Sequence, residues 1–145
     1  MATYHPYLNF NGNTEEAFNF YKSVIGGEFT GVMRFKDVPN GGGQPESEGD
    51  KIMHIGLPLG NDIYLMGTDI TGGMPPVTFG TNISICISPE NREQTHKLFD
   101  GLAEGGNIIV PLEKMFWGDY FGQLTDKFGV QWMVNFNDKE EDKKD

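Results

Sequence analysis

Apolar positions recur along this chain in two rhythms, and the rhythms follow the same order in both halves. In "NGNTEEAFNFYKSVIGG", residues 11–27, Ala17, Phe18, Tyr21, Val24 and Ile25 recur at helical spacing behind Asn13 as N-cap. Acids fill the first turn and Gly26-Gly27 supply the stop. "SPENREQTHKLFDGLAEGG", residues 88–106, repeats the scheme with Ser88 as N-cap, Pro89 at the first helical position and Gly105-Gly106 as the stop. A strand-like segment precedes each helix, "YHPYLNF" (4–10) and "TNISICIS" (81–88), and three follow it. These are "EFTGVMRF", "KIMHIGLPLG" and "DIYLMGT" in the first half, then "NIIVPLE", "YFGQLTD" and "VQWMVNF" in the second. The predicted order is βαβββ stated twice, with Phe10 aligned to Ile87 and His5 to Asn82. The fold class is therefore α+β, with tandem βαβββ modules forming a curved mixed sheet. The expected organisation is one domain over residues 1–136, from modules at about 1–70 and 80–136, followed by an acidic tail at 137–145.

Two segments interrupt the pattern. "TDITGGMPPVTFG", residues 68–80, reads as a Gly- and Pro-rich connector. "KDVPNGGGQPESEGD", residues 36–50, reads as a disordered polar hairpin loop, with a lid or dimer edge as the alternative.

Strand alternation sorts the side chains into two faces. Leu8 and Phe10; Met53, Ile55, Leu57 and Leu59; Ile63 and Leu65; Ile83, Ile85 and Ile87; and Val130, Trp132, Val134 and Phe136 form the face expected against the helices. The opposite parity carries His5, Tyr7 and Asn9; His54 and Gly56; Asp62, Tyr64 and Met66; Asn82, Ser84 and Cys86; and Gln131, Met133 and Asn135. A face so rich in Tyr, Met and Cys suits a cup that holds a small molecule through a few placed polar groups better than it suits a solvated sheet. Phe116 and Trp117 precede the last hairpin and read as an aromatic wall of that cup, with Asp119 as a polar contact; the rival reading packs Trp117 in the inter-module core or a dimer seam.

Composition narrows the partners. The chain has 145 residues, with 21 acidic against 11 basic side chains and a net charge of −10, which disfavours nucleic acid and anionic membranes. It contains no apolar run of about 20 residues and no charged-then-apolar leader, so a soluble, cytoplasmic protein is expected. Cys86 is the single cysteine, which rules out an internal disulfide and a paired-cysteine zinc site and fits a reducing compartment.

Three segments, "PYLNFNGNTEEAFNFYKSVIGGEF", "MHIGLPLGNDIYLMGTD" and "FWGDYFGQLTDKFGVQWMVNF", resemble the vicinal oxygen chelate superfamily of glyoxalase, bleomycin-resistance and dioxygenase proteins. Within it the chain is most similar to the PhnB-like branch, often labelled demethylubiquinone methyltransferase-like. It departs from that branch at Gly56, where a carboxylate is common, at Tyr120, where Arg is common, and at Lys127, where Pro is common. "NGGGQP", residues 40–45, opens no helix, so no nucleotide-binding glycine turn supports the methyltransferase label.

The resemblance implies metal ligands on the first and last strand of each module. Carried over by position, these fall at His5, Met66 (or Leu65), Asn82 and Met133. Two thioethers and a carboxamide beside one imidazole make a poor donor set for a divalent ion, so a divalent metal is disfavoured and no cofactor is predicted. Cu(I) on Met66, Met133, Cys86 and His5 is the weaker reading. His5 and His54 are candidate acid–base residues, though hydrogen bonding to a ligand, water or Tyr64 is the simpler role. His96 reads as a surface residue, and Cys86 as a small hydrophobe rather than a nucleophile. The expected function is metal-free binding of a small molecule by His5, Tyr7, Asn9, His54, Tyr64, Met66, Asn82, Ser84, Cys86, Trp117, Gln131 and Met133. The alternative is lyase, isomerase or dioxygenase chemistry at a rebuilt metal site, or acid–base chemistry by the histidines. The resemblance also implies a homodimer.

Overall fold

A computed structural model describes residues 1–138. Residues 139–145, most of the expected acidic tail, lie outside that range. The chain divides into two compact units, Met1–Thr78 and Phe79–Asp145.

The first unit contains β1 (Tyr7–Phe10), α1 (Thr14–Ile25), β2 (Thr30–Arg34), β3 (Ile52–Gly60) and β4 (Ile63–Asp69). Its sheet has the order β1-β4-β3-β2, with β1 parallel to β4 and the other pairings antiparallel. The helix forms because its apolar stripe has a sheet to cover: Ala17, Phe18 and Tyr21 are fully buried with Phe10, Ile55, Leu57 and Leu65. Phe18 lies so close to β4 that a Cβ at Gly67 would fall 2.6 Å from its Cε1.

Asn13 occupies the N-cap position of α1, but its side chain makes no capping bond. The cap comes instead from the buried Asp69 at the end of β4. Its Oδ1 accepts from the Thr14 amide (3.0 Å) and the Thr14 hydroxyl (2.6 Å), and its Oδ2 accepts from the Ile52 amide at the start of β3 (2.9 Å). One carboxylate thus fixes three elements, satisfying helix-end donors that a local Asn would otherwise serve.

The segment 36–50 is not a disordered hairpin loop. It runs through short 3₁₀ turns at Phe35–Asp37, Pro39–Gly43 and Glu46–Glu48, with Asn40, Gly41 and Gly42 all in left-handed conformation. Ion pairs hold its ends. Arg34 grips Glu15 through both guanidinium nitrogens (3.1 and 2.5 Å) and donates to the Asp50 carbonyl (2.9 Å), Lys36 meets Asp50 (2.8 Å), and Glu48 meets Lys51 (2.6 Å). A polar composition misled here because charges of opposite sign return to each other across the loop.

The second unit contains β5 (Ile85–Ile87), α2 (Arg92–Ala103), β6 (Asn107–Lys114), β7 (Asp119–Thr125) and β8 (Gln131–Asn137). The sheet order is β5-β8-β7-β6, again with a parallel first pair and antiparallel remainder. Leu98, Phe99 and Leu102 of α2 are buried with Leu124, Trp132, Val134 and Phe136, and a Cβ at Gly122 would come within 2.5 Å of Phe99.

The N-cap of α2 is Asn91 rather than Ser88. Its Oδ1 accepts from the Gln94 main-chain amide (2.7 Å), while the Gln94 side chain reaches back one residue past the cap, its Oε1 accepting from the Glu90 amide (2.7 Å). At the far end of the unit, Asn137 completes β8, and the nearly buried Asp138 pairs with Arg92 and with Lys114 (3.5 Å). Residue 137, assigned from the sequence to the tail, thus belongs to β8.

Of the apolar residues that alternation assigns to the packed face, two are exposed instead. Ile63 and Ile83 are exposed, because Ile63 follows the Asn61-Asp62 turn and Ile83 precedes the three-residue β5. Ile52, of the opposite parity, is fully buried; β3 pairs there with Arg34 through register shifts that break strict alternation. No described helix is long and apolar enough to cross a membrane.

Candidate functional site

The candidate residues are distributed over both units, and each set is assembled on its own sheet. In the first unit the parallel register sets Tyr7 beside Met66, and the Met66 amide extends the ladder to the Pro6 carbonyl (3.0 Å). His5 therefore lies before β1 rather than within it, and two residues back along the register it reaches Tyr64. The Tyr64 amide donates to His5 Nδ1 (3.0 Å), the two rings are 5.7 Å apart, and Thr3 Oγ1 lies 3.1 Å from His5 Nε2. Tyr7 projects toward β3, where its hydroxyl is 3.1 Å from His54 Nδ1. Partial burial raises the Tyr7 pKa above its ordinary value, so the phenol stays protonated at neutral pH.

Each of these histidines is thus paired with a tyrosine. Between the pairs lies an open cavity of about 250 Å³, lined by Thr30, His54, Gly56, Tyr64 and Met66. Thr30 faces Gly56 across the β2–β3 pairing, and a Cβ at Gly56 would come 2.8 Å from Thr30 Oγ1. Sequence reasoning singled out His54, Tyr64 and Met66 as ligand-binding but missed Thr30, whose strand was not sorted by face. A glycine among large cup residues was the available signal. Asn9, exposed beside Thr68, is not among the residues lining this cavity.

The second unit treats its candidates differently. Asn82 and Ser84 precede β5 instead of lying in a strand, because the pairing with β8 starts only at Ile85. Asn82 is exposed. Cys86 is exposed and sits opposite Met133 in the β5–β8 register. Gln131 is buried, and its amide donates to the Ile83 carbonyl (2.8 Å), extending the β5–β8 connection beyond the short strand. Trp117, half exposed, packs edge-on against Phe116 (4.9 Å) and near Phe121 (6.3 Å); Asp119 accepts from Asn135 (3.0 Å). His96 is exposed, with its ring 6.2 Å from Tyr120.

The metal implied by the fold is tested by the hydrogen bonds of His5. A histidine that ligates through Nε2 keeps a proton on Nδ1 and donates it to an oxygen. Here Nδ1 accepts from a main-chain N–H, so the ring proton must sit on Nε2, where a metal would bind. The Met66 thioether of the same unit is a poor donor for a divalent ion, as is that of Met133 in the second unit. Among the described residues, no three His, Cys, Asp or Glu side chains gather into a metal-sized group.

Two βαβββ units, each with a mixed four-stranded sheet and one helix, define the glyoxalase/bleomycin-resistance-like α+β fold. A glyoxalase/bleomycin resistance protein/dioxygenase family enzyme from Burkholderia phytofirmans PsJN shares that fold, with a TM-score of 0.59 at 15% identity over 90% of this chain and 96% of its own. Within this class the chain belongs to the family whose model is described as 3-demethylubiquinone-9 3-methyltransferase, which matches residues 2–135. It is similar to protein PA1353 from Pseudomonas aeruginosa, with 37% identity, a TM-score of 0.82, and coverage of 94% of this chain and 98% of that one. It is also similar to a protein from Bacillus cereus described as a putative 3-demethylubiquinone-9 3-methyltransferase, PhnB protein (27%, TM-score 0.73, coverage 93% and 99%). Protein YjdN of Escherichia coli K12 is 27% identical, covering 90% of this chain and 92% of its own. The PhnB-like resemblance read from the sequence is therefore sound.

Proposed function

We propose that the protein binds a small molecule, without a divalent metal, in the cavity of its first unit. The observation that carries this reading is the convergence of His54, Tyr64, Met66 and Thr30 on one open cavity above a glycine floor at Gly56. Apolar bulk from Tyr64 and Met66 beside a few placed polar atoms is the usual make-up of a small-molecule site. At about 250 Å³ the cavity lies just below the range of about 300–1,000 Å³ common for ligand pockets, which favours an occupant with a single ring or its equivalent. A homodimer and a cytoplasmic location complete the proposal; the exposed thiol of Cys86 suits a reducing compartment.

Metal analysis of protein purified without chelator or affinity tag tests the metal-free part. The expected result is substoichiometric metal in the wild type, unchanged in His5→Ala. One equivalent of metal that disappears in His5→Ala would overturn it. Thermal-shift and NMR screening of monocyclic compounds tests the cavity, with Met66→Trp expected to abolish binding.

A further inference from the structure

We propose that Tyr7 locks His54 in the tautomer with its proton on Nε2, so that the cavity offers a hydrogen-bond donor and selects ligands bearing a carbonyl-type acceptor. This deepens the binding reading above and rests on it.

The argument starts from the two ring nitrogens of His54. Nδ1 lies 3.1 Å from the Tyr7 hydroxyl. Tyr7 is not among the residues lining the cavity, whereas His54 is, so Nε2 is the nitrogen left to an occupant. A neutral imidazole has one donor and one acceptor nitrogen, and the bond at one assigns the other. Two assignments satisfy the observed distance, with either the phenol donating to a bare Nδ1 or an Nδ1–H donating to the phenol oxygen. The first pairs the stronger donor with the stronger acceptor, since a phenol O–H is a good acid while its oxygen is a weak base. Burial acts in the same direction, because it keeps the Tyr7 phenol protonated and able to donate.

The rest of the lining limits what can answer that donor. Thr30 supplies a hydroxyl held over Gly56 and Tyr64 a phenol, each able to donate as well as accept; Met66 is only a weak acceptor, and the Tyr64 ring adds aromatic surface. None of the five lining residues is a carboxylate, so a cationic amine finds no counter-charge there. The complementary ligand is a small, largely apolar molecule with one exposed carbonyl oxygen. His5 shows the same logic in fixed form, because the donor to its Nδ1 is a backbone amide.

The test has two arms on the full chain. In the first, long-range ¹⁵N NMR reads the ring nitrogens of His54 at about pH 8, where an ordinary histidine is neutral. The expected wild-type signature is a protonated Nε2 and a bare Nδ1, with Tyr7→Phe moving the Nδ1 resonance and admitting the second tautomer. A protonated Nδ1 in the wild type would overturn the proposal. In the second arm, acetophenone and toluene are titrated against wild type, His54→Phe and Tyr7→Phe. Acetophenone is expected to bind the wild type about three- to tenfold more tightly than toluene, the range of one neutral hydrogen bond. That preference should vanish in His54→Phe and shrink in Tyr7→Phe. Equal binding of the two compounds to the wild type would overturn the donor assignment and leave the cavity reading intact. Binding of neither would overturn both, while the first arm still reports on the Tyr7–His54 pair separately.

Discussion

At the level of single residues, one buried carboxylate explains much of the closing motif "LTDKFGVQW". Asp126 Oδ1 accepts from the amides of Phe128 (2.8 Å) and Val130 (3.1 Å), and its Oδ2 accepts from the Trp132 indole (2.8 Å). The turn between β7 and β8 and the largest core side chain are thus tied to one group. Asp126→Ala would leave three donors to find new partners and is expected to cost about 3 kcal/mol, measured by urea unfolding with an unchanged m-value. Asp126→Asn should retain part of that loss, because an amide can accept at only one of its two ends. The motif's residue types were visible in the sequence, but its purpose was not, since three hydrogen bonds onto one side chain depend on how the turn closes. The same holds at the candidate site. Parity put Tyr7, His54, Tyr64 and Met66 on one face, whereas the choice of Tyr64 for His5 follows from the β1–β4 register and that of Tyr7 for His54 from the β1–β4 and β3–β4 registers together. Gln131 illustrates the limit, because its amide serves the end of a short strand.

At the level of elements, the strands and helices were legible because their apolar periods were regular, while their ends were not. Asn13 and Ser88 are both acceptable cap residues, yet Asp69 and Asn91 supply the bonds. Helix ends are decided by which acceptor the tertiary structure brings to the free amides. Helix-to-sheet spacing depends on glycines that pattern analysis treats as neutral. Gly67→Ala would press a methyl group against Phe18 and is expected to destabilise the fold by about 1–3 kcal/mol. Phe18→Leu should be less damaging in that background than in the wild type, a coupling measurable by a double-mutant cycle in chemical denaturation.

At the level of the whole molecule, an acidic chain is held together in part by its few cations. A hydrogen bond from Arg34 lowers the Glu15 pKa, one from Lys51 lowers that of Glu48, one from Lys36 lowers that of Asp50, and one from Arg92 lowers that of Asp138. A carboxyl group depressed in the folded state binds protons more readily when unfolded. Its stabilisation is therefore complete above the unfolded carboxylate range, near about pH 4, and is lost as pH falls through the folded values. The urea midpoint should stay nearly level from neutrality down to about pH 5 and drop below about pH 4. Arg34→Met should flatten the part of that drop due to Glu15, and added salt should act in the same direction, as expected for exposed pairs. A midpoint insensitive to acid would contradict this account. The repeat of βαβββ modules was readable from the sequence, and the division between Thr78 and Phe79 falls within the Gly- and Pro-rich connector it predicted. The folding of segment 36–50 was hidden, because ion pairing across a loop leaves no periodic trace.

The amide that donates to His5 belongs to the main chain of Tyr64, and this has an evolutionary consequence. A side-chain partner can be lost by any of many substitutions, but a backbone donor disappears only if proline takes its place. Tyr64 lies inside β4, where proline would also disturb the strand. Substitution of the Tyr64 or Met66 side chain therefore leaves the donor to His5 Nδ1 in place. The proton on Nε2 is thus set by the path of the backbone rather than by a neighbouring side chain, and it should persist through most substitutions around it.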